Sequence, residues 1–369
     1  MNHHSVTKIG QFCLALTITI VSGSVGLRAQ IVAGSDDNAL TPAEVQARNA
    51  WRQTMHALPT PASGCFHATF PGTQWEQVEC EAPSAYRSAL PAGRGALTVG
   101  NGRDYVAQAP TGHFFSSVLG GFPETKDVKS EKGVGVALFH DNGVLGTNEY
   151  TLQVNTDYHN SAACDGYSYC LAWQQYVLSS NYVSLTGKPT GKTAVFIEYW
   201  LINYGVHDGN KNICPKGFLD GGEDSSGPGD DCVQNTPAVV VHSGQIPITS
   251  LVDLALGATA VHGGTDEAVA FYGNESFKAS DHDSLTDIST VWSQAEFNVV
   301  GNAGGSRADF NSGAELLVEL LLNYGSSSAP KCQPPSKVLG TTGETNNLTL
   351  GACVAGGGKS PYIEFVEGN

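Results

Sequence analysis

Phe196-Ile197-Glu198-Tyr199-Trp200-Leu201-Ile202-Asn203-Tyr204 is the stretch on which the fold turns. It is a run of aromatic and β-branched residues with Glu198 and Asn203 set among them, which is a strand signature. Two further stretches share it. One is Trp173-Gln174-Gln175-Tyr176-Val177, the other Trp292-Ser293-Gln294-Ala295-Glu296-Phe297-Asn298. Successive side chains on a strand point to opposite faces. Strict alternation therefore puts Trp173 with Gln175. It puts Phe196, Glu198, Trp200, Ile202 and Tyr204 on one face, and Trp292, Gln294, Glu296 and Asn298 on another. If these faces meet, they form a groove with aromatic walls, two glutamates and several amides.

Outward from these strands the chain keeps the same character. Short apolar segments at Tyr150–Asn155, 172–178, 194–204, 246–256, 267–272, 293–300 and 315–322 are separated by Gly, Asn, Asp and Ser. That spacing predicts a mainly β fold, an antiparallel two-sheet β-sandwich of jelly-roll type, over residues 97–369. With 44 glycines and two methionines in 369 residues, the composition is poor in helix formers. One helix is expected. Thr41-Pro42-Ala43-Glu44 reads as N-cap, proline at N1 and capping-box glutamate. Ala47, Trp51, Met55 and Leu58 follow at helical spacing, with Arg48 and Arg52 expected towards solvent, and Pro59 and Pro61 stop it. A Cys-bounded module (64–80) and a Pro/Gly/Ala linker (82–96) complete an N-terminal unit, 30–96. That unit is expected to serve as a propeptide or as a cap on the sandwich.

Residues 1–29 read as a secretory signal peptide. Lys8 precedes an apolar run, 12–27, and Leu27-Arg28-Ala29 offers a cleavage site. Its loss would take the formal charge from −16 to −18, because Lys8 and Arg28 leave, and nine cysteines to eight, because Cys13 leaves. An even set in a secreted chain reads as disulfides, and the eight fall as neighbours. Sequential pairing is expected: Cys65 with Cys80, Cys164 with Cys170, Cys214 with Cys232, Cys332 with Cys353. The acidic excess opposes binding to nucleic acid or to an anionic membrane. A secreted or periplasmic monomer is the expectation, with neither metal nor cofactor. His207, His242 and His262 show no ligand spacing, and the acidic run 220–231 lacks the spacing of a calcium loop, so it reads as a solvated loop. The polar run Thr341-Thr-Gly-Glu-Thr-Asn-Asn-Leu348 has no evident role from sequence.

The groove residues also carry a resemblance. Ser293-Gln-Ala-Glu-Phe-Asn-Val-Val300, followed by Arg307-Ala-Asp-Phe310, resembles the catalytic-glutamate segment of the eqolisin glutamic endopeptidases. The strand at 196–204 and Gln245-Ile-Pro-Ile-Thr-Ser-Leu251 are similar to the family's neighbouring strands, and Ala172-Trp-Gln-Gln-Tyr-Val177 stands where its glutamine strand would. The likeness spans roughly 145–325 and implies a concanavalin-like sandwich. It implies Glu296 as the catalytic glutamate and Gln175, or else Gln174, as the catalytic glutamine. Glu198, Trp173, Trp200, Trp292, Tyr204 and Asn298 would line the cleft. A carboxylate can activate water while an amide N–H steadies the oxyanion. At the position of one family segment this chain instead has Tyr150-Thr-Leu-Gln-Val-Asn155. A second, local resemblance joins residues 196–205 and Ala295-Glu296 with Gly304-Gly-Ser-Arg-Ala308 to small jelly-roll xylanases. It implies Glu198 as nucleophile and Glu296 as acid/base on a polysaccharide. A third possibility is a noncatalytic module whose aromatic residues stack on sugars.

Overall fold

The computed structural model describes residues 41–87, 99–139, 143–209, 211–223, 227–336 and 340–369. Residues 1–29, read from the sequence as a signal peptide, lie outside them. Two large antiparallel sheets face each other as a sandwich, with a small four-stranded sheet beside them. The first large sheet runs Glu76–Gln77, Gly64–Thr69, Glu275–His282, Thr265–Tyr272, Leu254–Ala260, Ser117–Lys126, Glu315–Asn323, Tyr362–Gly368, Thr349–Gly356. The second runs Leu219–Glu223, Asp230–Asn235, Thr193–Tyr204, Leu171–Ser179, Tyr150–Asn155, Gln294–Gly301, Val106–Gln108, Lys331–Gln333, and Val239–His242 also pairs with Thr193–Tyr204.

Alternation along these strands builds the core. Leu152, Val154, Ile197, Leu201, Phe297 and Val299 meet Val118, Leu256, Ala258, Leu316, Val318, Leu320 and Phe365 between the sheets. Burial of such side chains contributes about 1.5–3 kcal/mol each before the entropy of ordering is counted. The sheets approach closely where Gly120 lies under Phe297, since a Cβ at Gly120 would stand 2.3 Å from that ring.

The helix forms as its capping box dictates, over Pro42–Ala57, with Thr41 and Glu44 exchanging hydrogen bonds. Its apolar face does need a partner, and the partner is the outer face of the first sheet. Trp51 and Met55 pack on Leu119, Ala255, Val269 and Phe271. The expectation for Arg48 and Arg52 is corrected here. Both are buried, whereas Ala47 is exposed. The helix lies flat on the sheet, so the flanks of the stripe are covered too, and Arg52 donates to the Gly273 carbonyl at 2.6 Å. Gly64–Thr69 pairs along its whole length with Glu275–His282. Beneath this module Lys278 is buried, bonded to Glu267 and the Leu58 carbonyl, both at 2.8 Å, with Trp75 over it at 4.8 Å.

All four sequential disulfides are present. Two segments differ from expectation. Residues 246–256 are not one strand: Pro247 caps a 3-10 helix, Ile248–Asp253, and the strand starts at Leu254. The acidic run 220–231 is not simply a solvated loop. Leu219–Glu223 and Asp230–Asn235 pair as a hairpin closed by the Cys214–Cys232 bridge. Among the described residues, no group of three or more His, Cys, Asp or Glu is placed to hold a metal ion. No helix among them is long and apolar enough to cross a membrane.

Candidate functional site

The outer face of the second sheet carries a row of polar side chains at one strand level. The register sets Asn235 beside Glu198, Glu198 beside Gln175, Gln175 beside Asn155, and Asn155 beside Glu296. All are buried. Gln175 Nε2 donates to Asn155 Oδ1 at 2.6 Å and to Gln153 Oε1 at 3.2 Å. Asn155 Nδ2 donates to Glu296 Oε2 at 2.6 Å. The Asn155 amide thus fixes both neighbours: its oxygen receives the glutamine and its nitrogen serves the glutamate. Glu198 receives Trp200 Nε1 at 2.9 Å, and Trp173 stacks on Trp200 with centroids 6.1 Å apart.

Glu296 is strongly perturbed. Burial and then the nearby Asp104 raise its carboxyl from the ordinary range to about 8. Its Oε1 accepts the Asn101 N–H at 3.1 Å. Asp104 is held by Asn101 Nδ2 at 2.7 Å, and Glu367 by Asn298 Nδ2 at 3.1 Å. Burial pushes both of these carboxyls up as well. Asp104, Glu296 and Glu367 are therefore a set of buried acids that keep protons where free carboxyls have lost them.

Two backbone segments close over Glu296. Residues 99–104 come first: a Cβ on Gly100, whose φ is 75°, would stand 2.0 Å from the Glu296 carboxyl. Only glycine permits this approach. Residues 340–342 lie on top. Thr341 Oγ1 accepts the Gly100 N–H at 2.9 Å, and the Thr342 N–H donates to the Gly100 carbonyl at 3.1 Å. This gives the Thr341–Leu348 run a role, since its threonines clamp the loop that covers Glu296.

Beside the row lies a small cavity of about 20 Å³, bounded by Gln153, Val177, Phe196, Glu198 and Tyr182 on one side and by Tyr86 and Arg87 on the other. It is open to solvent at its rim, unlike Glu296.

The structure thus brings Gln175, Glu198, Glu296, Asn298, Trp173 and Trp200 to one face, and it removes three expected members. Gln174 points between the sheets, bonded to the Tyr176 hydroxyl at 2.7 Å and to Asp266 at 3.2 Å. Trp292 precedes its strand, after a short 3-10 turn, so alternation does not reach it; it packs in the core on Tyr176 and Phe115. Tyr204 follows Asn203, whose φ of 60° makes an irregularity in the ladder. That turns Tyr204 away from Ile202 and onto Tyr167. The sequence reading missed Asn155, Gln153 and Asn235. Alternation of Thr151, Gln153 and Asn155 was the available signal. Gly100, Asn101 and Asp104 reach Glu296 from almost two hundred residues away, and no local pattern marks them.

Comparison with protein families, with curated proteins and with solved structures finds no match. Fold and site by themselves define a class: a disulfide-clipped antiparallel β-sandwich with a buried carboxyl–amide row on one outer face.

Proposed function

We infer that this chain is a secreted hydrolase of the glutamic-endopeptidase type, cleaving peptide bonds at acid pH, as the eqolisin resemblance implies. The observation that carries the reading is the hydrogen-bonded row Glu296–Asn155–Gln175. A glutamate and a glutamine, fixed on one face by a shared amide, supply the two groups that peptide hydrolysis needs. Ionised Glu296 takes a proton from water as the water attacks the scissile carbonyl. Both Gln175 N–H groups are engaged in the closed state, so the longer bond, to Gln153 at 3.2 Å, gives way and that N–H turns to the oxygen that gains charge, while the other stays on Asn155. Asn155 acts as a positioning residue.

The closed state is a resting one in this reading. A carboxyl raised to about 8 is protonated in acid and cannot act as a base. Moving residues 99–104 away readmits water and returns Glu296 towards the ordinary carboxylate range, where it ionises in mildly acid solution. The four disulfides and the acidic surface suit a secreted protein.

The geometry weighs against the paired-carboxylate alternative. Glu198 and Glu296 share a face but are separated by two strands, which is three strand spacings or about 14 Å. Glycosidic hydrolysis needs its two carboxyls roughly 5–10 Å apart. A substrate panel separates the readings. Casein fragments are expected at acid pH from the Glu198→Gln protein, and about a hundredfold fewer from Gln175→Ala. Xylan or glucan cleaved while casein stays intact would overturn the proposal.

A further inference from the structure

Residues 81–87 lie along the rim of the candidate cleft and are held chiefly through their backbone, with Glu81 also paired to Lys192 and the Arg87 guanidinium donating to the Gly221 carbonyl at 3.3 Å. Glu81 exchanges N–H···O bonds with Ala238, at 2.9 and 3.1 Å. The Tyr182 hydroxyl donates to the Ala82 carbonyl at 2.6 Å. Asn235 Nδ2 donates to the carbonyls of Ser84 and Tyr86, at 3.2 and 2.9 Å. The Ala85 N–H meets the Ser184 carbonyl at 3.4 Å, and the Gly304 N–H donates to the Arg87 carbonyl at 3.1 Å. The segment therefore runs from the Asn235 end of the polar row towards the loop beyond the glutamate strand, across the strands. Tyr86 and Arg87 form one wall of the small cavity whose other wall holds Phe196, Glu198 and Tyr182.

Side-chain amide, hydroxyl and backbone donors aimed at successive carbonyls read a polypeptide main chain without regard to its sequence. A sugar offers no such row of carbonyls. We propose that this channel is a binding cleft for an extended polypeptide, and that residues 81–87 occupy it as a built-in competitor. The cavity together with the space that the Tyr86 side chain fills is its side-chain subsite. It combines aromatic and aliphatic walls with one carboxyl, and so takes an aromatic or basic residue of the bound peptide once Tyr86 is displaced. The inference rests on the peptidase reading for substrate class alone.

A tethered segment competes at an effective concentration in the millimolar range, so free peptide binds weakly until the tether is loosened. The test uses a fluorescein-labelled peptide, Glu-Ala-Pro-Ser-Ala-Tyr-Arg, and the full chain carrying Glu296→Gln, so that no turnover intrudes. Adding Ala85→Pro and Tyr86→Ala removes one backbone donor and one cavity wall of the native segment. At least tenfold tighter peptide binding is expected, and Asn235→Ala should cancel the gain. If the double variant unfolds, Tyr86→Ala alone should still tighten binding about threefold. Binding that is unchanged in the folded variants overturns the proposal. Tighter binding in a chain that, with Glu296 intact, hydrolyses no peptide removes the peptidase reading and leaves the cleft. Hydrolysis without tighter binding does the reverse.

Discussion

The folded protein is expected to be most stable in acid solution, near pH 4, and to lose at least about 5 °C of melting temperature between pH 6 and pH 9. The cause is a population of buried carboxyls. Burial, reinforced by Glu149, raises Glu131 to about 8; burial and Asp104 raise Glu296 to about 8; burial raises Asp157 to about 6. Asp104, Glu149, Asp266 and Glu367 move the same way. A carboxyl whose folded pKa exceeds its unfolded value holds its proton more tightly in the folded state. Its contribution is fully present below the unfolded value, near 4, and is lost as pH rises through the folded value. A tenfold difference in proton affinity between the folded and unfolded chain corresponds to about 1.4 kcal/mol. Glu131 alone would account for roughly 4–5 kcal/mol, less whatever the structure recovers by relaxing. The histidines set the other limit. Burial lowers His56 to about 4 and lowers His159 as well, so their contributions fade as pH falls below about 6.5. Seven carboxyls outweigh two histidines over the whole span from about pH 4 to 6.5, so the maximum lies near pH 4. Thermal melts across pH 3–9 check this. Glu131→Gln should flatten the alkaline side, and a melting temperature that climbs towards pH 9 would contradict the account.

Gly100→Ala should open the site. The new methyl has no room, because it would stand 2.0 Å from the Glu296 carboxyl, and the backbone at φ 75° disfavours any side chain. Overpacking and strain together cost about 2–4 kcal/mol, which the protein avoids by lifting residues 99–104. Casein hydrolysis at acid pH should then rise about tenfold, with the ionisation that governs it moving from near 8 into the ordinary carboxylate range. A variant with lowered stability but unchanged activity and pH profile would show that this loop does not restrain Glu296.

How far the sequence could be read depended on the range of each interaction. The Thr41–Glu44 capping box, the neighbouring cysteines and the alternation at 173–177 and 196–202 are local, and the structure agrees with them. Alternation failed where regularity failed, at left-handed Asn203 and at the turn before Gln294. The strand Ser117–Lys126 was hidden because Gly120, Gly121 and Pro123 look like a loop; Gly120 is there because Phe297 needs its space. Glu296 and Gln175 were legible as members of one face. The cover over Glu296 was not, because Gly100 and Thr341 meet it only through the folded chain.

The central claim is that Glu296 activates water against a peptide bond. It is tested most directly by incubating the Gly100→Ala protein with a defined peptide at acid pH in ¹⁸O-labelled water and weighing the products. Cleavage with one ¹⁸O in each new carboxyl terminus is expected, and none when Glu296→Gln is added. Cleavage that persists with Glu296→Gln, or an intact peptide in both reactions, would contradict it.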